Sequence, residues 1–186
     1  FAASTFDDLG LPSSAWSMQG VEFHGQVSFM KAGLQHADAV TTVSPRYARE
    51  ILGEAQGAGL HGVLAARAHG VQGILNGVDD VVWNPASDTH LAAAFNAAKP
   101  SGKKACKAAL QMEMGLDVNP STLLFGVVSR LTEQKGLHLV QQLLPDLLAQ
   151  GGQLVMLGSG DAVLEAAFAS AAQTHPGQVA FRLGFD

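Results

Sequence analysis

The sequence predicts an α/β protein built on parallel sheet, and three observations carry that prediction. In the last third, the apolar runs "TLLFGVVS" and "QLVMLG" have strand length and are followed in turn by "GLHLVQQLLPDLLAQG" and "SGDAVLEAAFASAAQ", whose apolar residues fall at helical spacing. A third run, "QVAFRLG", resumes the strand pattern. Runs that are apolar at nearly every position are expected of strands buried on both faces, and regular alternation of strand with helix implies parallel neighbours joined by right-handed crossovers. In the first third, the β-branched run "DAVTTVS" meets Pro45, which suits the first turn of a helix over "PRYAREIL".

From the N-terminus, "GLPSSAWSMQGVEFHGQ" is rich in turn formers and reads as loop. "VSFMKAGLQHA" follows as a helix with Val27, Met30, Leu34 and Ala37 on one face. Beyond the strand and helix around Pro45, the glycine-rich "GEAQGAGLHG" leads into a short alanine-rich helix. "GVQGILNGVDDVVWNPASD" carries Asn-Gly and Asn-Pro turn signals, and a domain boundary is expected near Gly73, dividing residues 1–73 from 74–186. Two helical segments come next, "DTHLAAAFNAA" and "KKACKAALQMEMGL", the second with Gly115 placed as its C-cap. Leu137, Val140, Leu144, Leu147 and Leu148 then form one helical stripe that would cover the sheet.

With 186 residues and 47% hydrophobic content, the chain suffices for one sizeable domain or parts of two, which excludes disorder as its main theme. Net charge is −5 and the basic residues form no stripe, so a surface that tracks a nucleic-acid backbone is excluded and phosphate binding should be local. One cysteine, Cys106, cannot form an internal disulfide and fits a reducing compartment. No apolar run approaches the roughly 20 residues of a membrane helix. The N-terminus has no basic segment followed by an apolar one, so a soluble, cytoplasmic protein is expected. Because the chain starts at Phe1 and stops as a strand enters its loop, it is expected to be a fragment. The histidines show no metal-binding spacing, so no metal site is expected, and Ser44 lacks the glycines of a hydrolase elbow.

In parallel sheets, ligands bind at the carboxyl ends of the strands, where loops lead into helix N-termini. "SRLTEQKG" is such a loop, and it places Arg130 and Lys135 where a helix begins. The helix N-terminus is already partially positive, so a lysine there is unfavourable by a few tenths to about 1 kcal/mol, and Glu133 offsets only part of it. A diphosphate would resolve the conflict by accepting from two cations and free backbone N–H groups; the alternative is that both side chains point to solvent. The next strand ends in "LGSGD", where Gly158 and Gly160 would let backbone approach a ligand or simply form a tight turn, and Asp161 is placed to cap the following helix. Asn76 could hydrogen-bond a phosphate or sugar hydroxyl, or serve only the turn it sits on. Trp83 suits packing between domains better than stacking on a ligand.

Four stretches together, "EFHGQVSFMKAGLQHADAVTTVSPRYAREI", "GILNGVDDVVWNP", "FGVVSRLTEQKGLHLV" and "GGQLVMLGSGDAVLEAAF", resemble bacterial glycogen synthase, the ADP-glucose-dependent glucosyltransferase related to plant starch synthases. The resemblance runs over nearly the whole chain, with the motifs in the same order. It implies a GT-B architecture, two Rossmann-like domains with the donor nucleotide in the cleft, of which this chain matches the middle: the end of the first domain, the crossing segment, and the start of the second. It also implies that Arg130 and Lys135 hold the donor diphosphate and stabilise departing ADP, that Asn76 is the interdomain asparagine of the donor site, and that Gly158 and Gly160 lie in the loop beside the nucleotide. Phe185 stands where bacterial members often carry a tyrosine that packs on the adenine, so the stacking face is kept and a hydroxyl is lost.

The family's Lys-x-Gly-Gly-Leu loop is expected before residue 1 and its Glu-x7-Glu acid pair beyond Asp186, so the chain is not expected to catalyse alone. No metal or other cofactor enters this scheme; the partners implied are ADP-glucose and an α-1,4-glucan, with no nucleic acid and no membrane. Two alternatives stay open: a non-catalytic nucleotide- or glucan-binding module, and a GT-B transferase using another sugar nucleotide.

Overall fold

The computed structural model describes residues 1–67 and 69–184, and these divide into two compact units, Phe1–Val78 and Asp79–Asp186. The first unit comprises α1 (Thr5–Asp8), a 3-10 turn (Ser13–Ala15), β1 (Glu22–Phe23), β2 (Gln26–Val27), α2 (Phe29–His36), β3 (Val40–Thr42), α3 (Pro45–Glu50), α4 (His61–Ala65) and β4 (Val71–Gly73). β3 and β4 pair in parallel and β1 and β2 form an antiparallel hairpin. Both central residues of its turn have positive φ, 51° at His24 and 74° at Gly25, the backbone twist that two-residue hairpins require.

Ser44 and Pro45 start α3 as expected: Pro45 occupies the first turn, and the Ser44 hydroxyl accepts from the Tyr47 N–H at 3.2 Å. Gly73 is glycine for a steric reason, since a Cβ there would lie 2.3 Å from Pro45 Cα, where α3 crosses β4. The expected face of α2 is not the observed one. The helix begins at Phe29 after the Ser28 cap, which leaves Val27 buried in β2 and Met30 67% exposed. What α2 buries instead is Lys31, 4% exposed, whose Nζ donates to the carbonyls of Met18, Gly20 and Glu22 at 2.5, 3.1 and 2.6 Å. Carbonyls without a backbone donor must find another, and an ammonium can serve several at once.

The second unit comprises α5 (Gly102–Glu113), β5 (Leu124–Val128), a 3-10 turn (Glu133–Lys135), α6 (Leu137–Ala149), β6 (Gln153–Gly158), α7 (Ala162–Thr174) and β7 (Val179–Leu183). The helix expected over "DTHLAAAFNAA" is absent. Asn84, Asp88 and Asn96 side chains accept from the backbone N–H groups of Ala86, His90 and Lys99, holding turns that compete with helix. α5 ends as expected at Gly115, φ 70°: the Gly115 N–H donates to Met112 and the Leu116 N–H to Gln111, the paired bonds of a Schellman motif.

The sheet order is β5-β6-β7, all parallel. Leu137, Leu144 and Leu148 of α6, with Leu164 and Phe168 of α7, pack on Leu154, Met156 and Val179, while Val155 and Ala180 meet Leu116 on the opposite face. β6 is thus buried on both faces, as its composition predicts. β5 is not: among the described residues it is an edge strand, with Phe125 44% and Val128 76% exposed. An apolar run cannot by itself distinguish a central strand from an edge. At the amino ends of the strands, buried Gln111 donates to Gln153 Oε1 at 2.6 Å, and Gln153 Nε2 donates to the Asp117 and Gly177 carbonyls at 2.8 and 2.9 Å. These amides tie α5 to the sheet.

Candidate functional site

The candidate site lies at the carboxyl ends of β5 and β6, where parallel sheets place their ligands. β5 runs into Ser129, Arg130 and Leu131, and β6 into Ser159, Gly160 and Asp161. The two exits are laced together by backbone: the Ser129 N–H donates to Leu157 O at 3.1 Å, the Leu131 N–H to Ser159 O at 2.9 Å, and the Asp161 N–H to Leu131 O at 2.7 Å. Leu131 itself is fully buried, anchoring the exit of β5 in the core.

That lacing explains the glycines. A Cβ on Gly158 would sit 2.1 Å from Ser129 O, and one on Gly160 would sit 2.4 Å from Leu131 O. In this structure, what both backbones approach closely is the neighbouring loop. A pocket of about 170 Å³ opens beside them, lined by Ser129, Arg130, Gly158, Ser159 and Gly184 among others. The structure therefore brings Arg130 and Gly158 together. A larger pocket of about 710 Å³ lies at the start of β5 against α5, lined mainly by apolar side chains, and contains none of the predicted site residues.

Arg130 and Lys135 are both exposed, and neither forms an ion pair among the described residues. Lys135 closes the 3-10 turn and is followed by Gly136, φ 70°, the N-cap of α6. That glycine brings no capping side chain, and the first turn of α6 holds no acidic residue. Positive helix-end potential and two cations thus outweigh the local negative charge that Glu133 supplies from the 3-10 turn. The entrance to α7 is the opposite. As expected, Asp161 caps it, Oδ1 accepting from the Val163 and Leu164 N–H groups at 2.9 and 3.1 Å, and Glu165 Oε1 accepts from the Gly160 N–H at 2.7 Å.

Asn76 lies in the first unit, exposed, in irregular chain rather than the turn that Asn-Gly signals. Phe185 lies outside the described residues. Sequence reasoning missed Glu165 and the Leu131 anchor. The acid four residues beyond the Asp161 cap was a readable signal of the first, being close kin to a capping box; nothing local announces the second. No described helix is long and apolar enough to cross a membrane.

Residues 1–66 match the family model for the starch synthase catalytic domain. The whole chain aligns with glycogen synthases of Albidiferax ferrireducens at 56% identity and Anaeromyxobacter dehalogenans at 54%, spanning 38% and 39% of their lengths. It also covers 39% of the catalytic domain of starch synthase IV from Arabidopsis thaliana, solved bound to ADP and acarbose, with a TM-score of 0.88 and 34% identity over the full chain.

Proposed function

Since the chain belongs to the glycogen and starch synthase family, we propose that it forms part of a retaining glucosyltransferase of glycogen biosynthesis, one that moves glucose from ADP-glucose to the non-reducing end of an α-1,4-glucan. The observation that carries this reading is the pair Arg130 and Lys135, without carboxylate partners among the described residues, before an α6 N-terminus that its own sequence leaves uncapped. As the glycosidic C–O bond breaks, negative charge builds on the β-phosphate, and cations already in place lower that barrier. Lys135 and Arg130 hold the diphosphate in the ground state and stabilise ADP as it leaves.

In the same reading residues 1–73 close the acceptor-side domain, and residues 74–186 supply the crossing segment and the start of the nucleotide-binding domain. Asn76 hydrogen-bonds the donor, the backbone around Gly158 and Gly160 borders the nucleotide, and Phe185 stacks on the adenine. The enzyme works in the cytoplasm. The chain spans little more than a third of the length of its relatives, so turnover is assigned to the complete protein.

The test is transfer of labelled glucose to glycogen by the complete protein, with ADP-glucose and UDP-glucose compared at equal concentration. Preferred transfer from ADP-glucose is expected. Transfer from neither donor would overturn the reading, and preference for UDP-glucose would overturn its choice of nucleotide.

A further inference from the structure

We infer that Glu165 is a positioning residue of the donor site: its carboxylate holds the Gly160 peptide, and through Leu131 that peptide fixes where Arg130 stands. Glu165 is half-buried on the first turn of α7, and Oε1 accepts from the Gly160 N–H at 2.7 Å. The peptides on either side of Gly160 are both tied to Leu131, which donates to Ser159 O at 2.9 Å and accepts from the Asp161 N–H at 2.7 Å. Gly160 is pressed so closely on Leu131 that no side chain fits between them. Glu165 therefore secures the Gly160 N–H, which the Leu131 bonds do not reach. The next residue back from Leu131 is Arg130, which lines the pocket at the strand ends.

The same carboxylate has a second effect. Gly160, Val163 and Leu164 supply three of the N–H groups that a phosphate would seek at the entrance of α7, and all three donate to Glu165 or Asp161. A diphosphate there would have to displace two carboxylates and then lie beside like charge. The β6 exit accordingly contributes shape to the site, and the β5 exit contributes the positive charge. Nothing in this assignment requires Glu165 to touch the donor.

This inference rests on the proposed donor site, and the experiment separates the two. In the complete protein, KM for ADP-glucose and for the glucan, kcat and the thermal midpoint are measured for wild type, Glu165→Ala and Glu165→Gln. The alanine variant loses the acceptor, and one charge-assisted hydrogen bond corresponds to a rise of about tenfold in the donor KM. The glucan KM stays in place. The glutamine variant keeps an acceptor oxygen at the same reach and returns the donor KM to within about twofold of wild type, the cost of exchanging an ionised acceptor for a neutral one being smaller than that of losing it. A general loss of folded enzyme would instead lower kcat and leave both KM values unchanged. An unchanged donor KM in Glu165→Ala, or equal impairment of both variants, overturns the inference while an active wild type leaves the donor site standing. A wild type that neither binds nor turns over ADP-glucose overturns the donor site itself.

Discussion

The turns after β5 and β6 are laced together at the same end of one sheet, yet their helices begin in opposite ways. α7 opens with the Gly160, Val163 and Leu164 N–H groups satisfied by its own acids, Asp161 and Glu165. α6 opens on Gly136 with no cap and no acid in its first turn, after Arg130 and Lys135 have added positive charge. A self-satisfied helix end is a structural joint, whereas one left short of negative charge is a place to receive an anion. The difference teaches which of the two loops is suited to receive an anion. Both need small residues, but Gly158 and Gly160 serve loop-on-loop contact, and the charge lies on the other strand's exit.

The comparison breaks most visibly at Lys135. In the complete protein, Lys135→Ala is expected to lower kcat with ADP-glucose by about 10²- to 10³-fold, the loss typical of one preorganised stabilising group, with the thermal midpoint unchanged; steady-state kinetics beside a melting curve checks both halves. Gly158→Ala comes next. Its methyl group would meet Ser129 O at 2.1 Å, so the two exits must part. Overpacking of this kind costs about 1–3 kcal/mol, read as a lower denaturation midpoint together with weaker donor binding. The smallest effect belongs to Asp161→Ala, which removes a helix cap worth about 1 kcal/mol and is expected to lower stability while leaving the donor KM near wild type. A kcat/KM for ADP-glucose that fell as far in Asp161→Ala as in Lys135→Ala would erase the contrast between the two turns.

Much of this arrangement was legible in the sequence because it is encoded locally. The stripe of α6, the doubly buried β6, the Ser44–Pro45 start, the Asp161 cap and the Gly115 stop each depend on a few neighbouring residues. What was not legible depends on distant partners or on competition. The run "DTHLAAAFNAA" has helical composition, but Asn84, Asp88 and Asn96 hold turns around it. The hydrophobic periodicity of "VSFMKAGLQHA" gives no sign that Lys31 is buried, because its partners are carbonyls of Met18, Gly20 and Glu22, outside the run. β5 and β6 are similarly apolar, and only sheet order makes one an edge. At the site, the two cations could be found from their conflict with a helix start. The reason for the glycines could not, since it lies in Ser129 and Leu131 on another strand's exit.

The central claim is that the exit of β5 receives the diphosphate and the exit of β6 does not. Its most direct test is ADP affinity by titration calorimetry on the complete protein, comparing wild type, the double variant Arg130→Ala/Lys135→Ala, and Asp161→Ala. The account predicts that the double variant weakens ADP binding by about 100-fold, roughly tenfold for each charged partner removed, while Asp161→Ala binds like wild type. Wild-type affinity in the double variant, or an equal loss in Asp161→Ala, would contradict it.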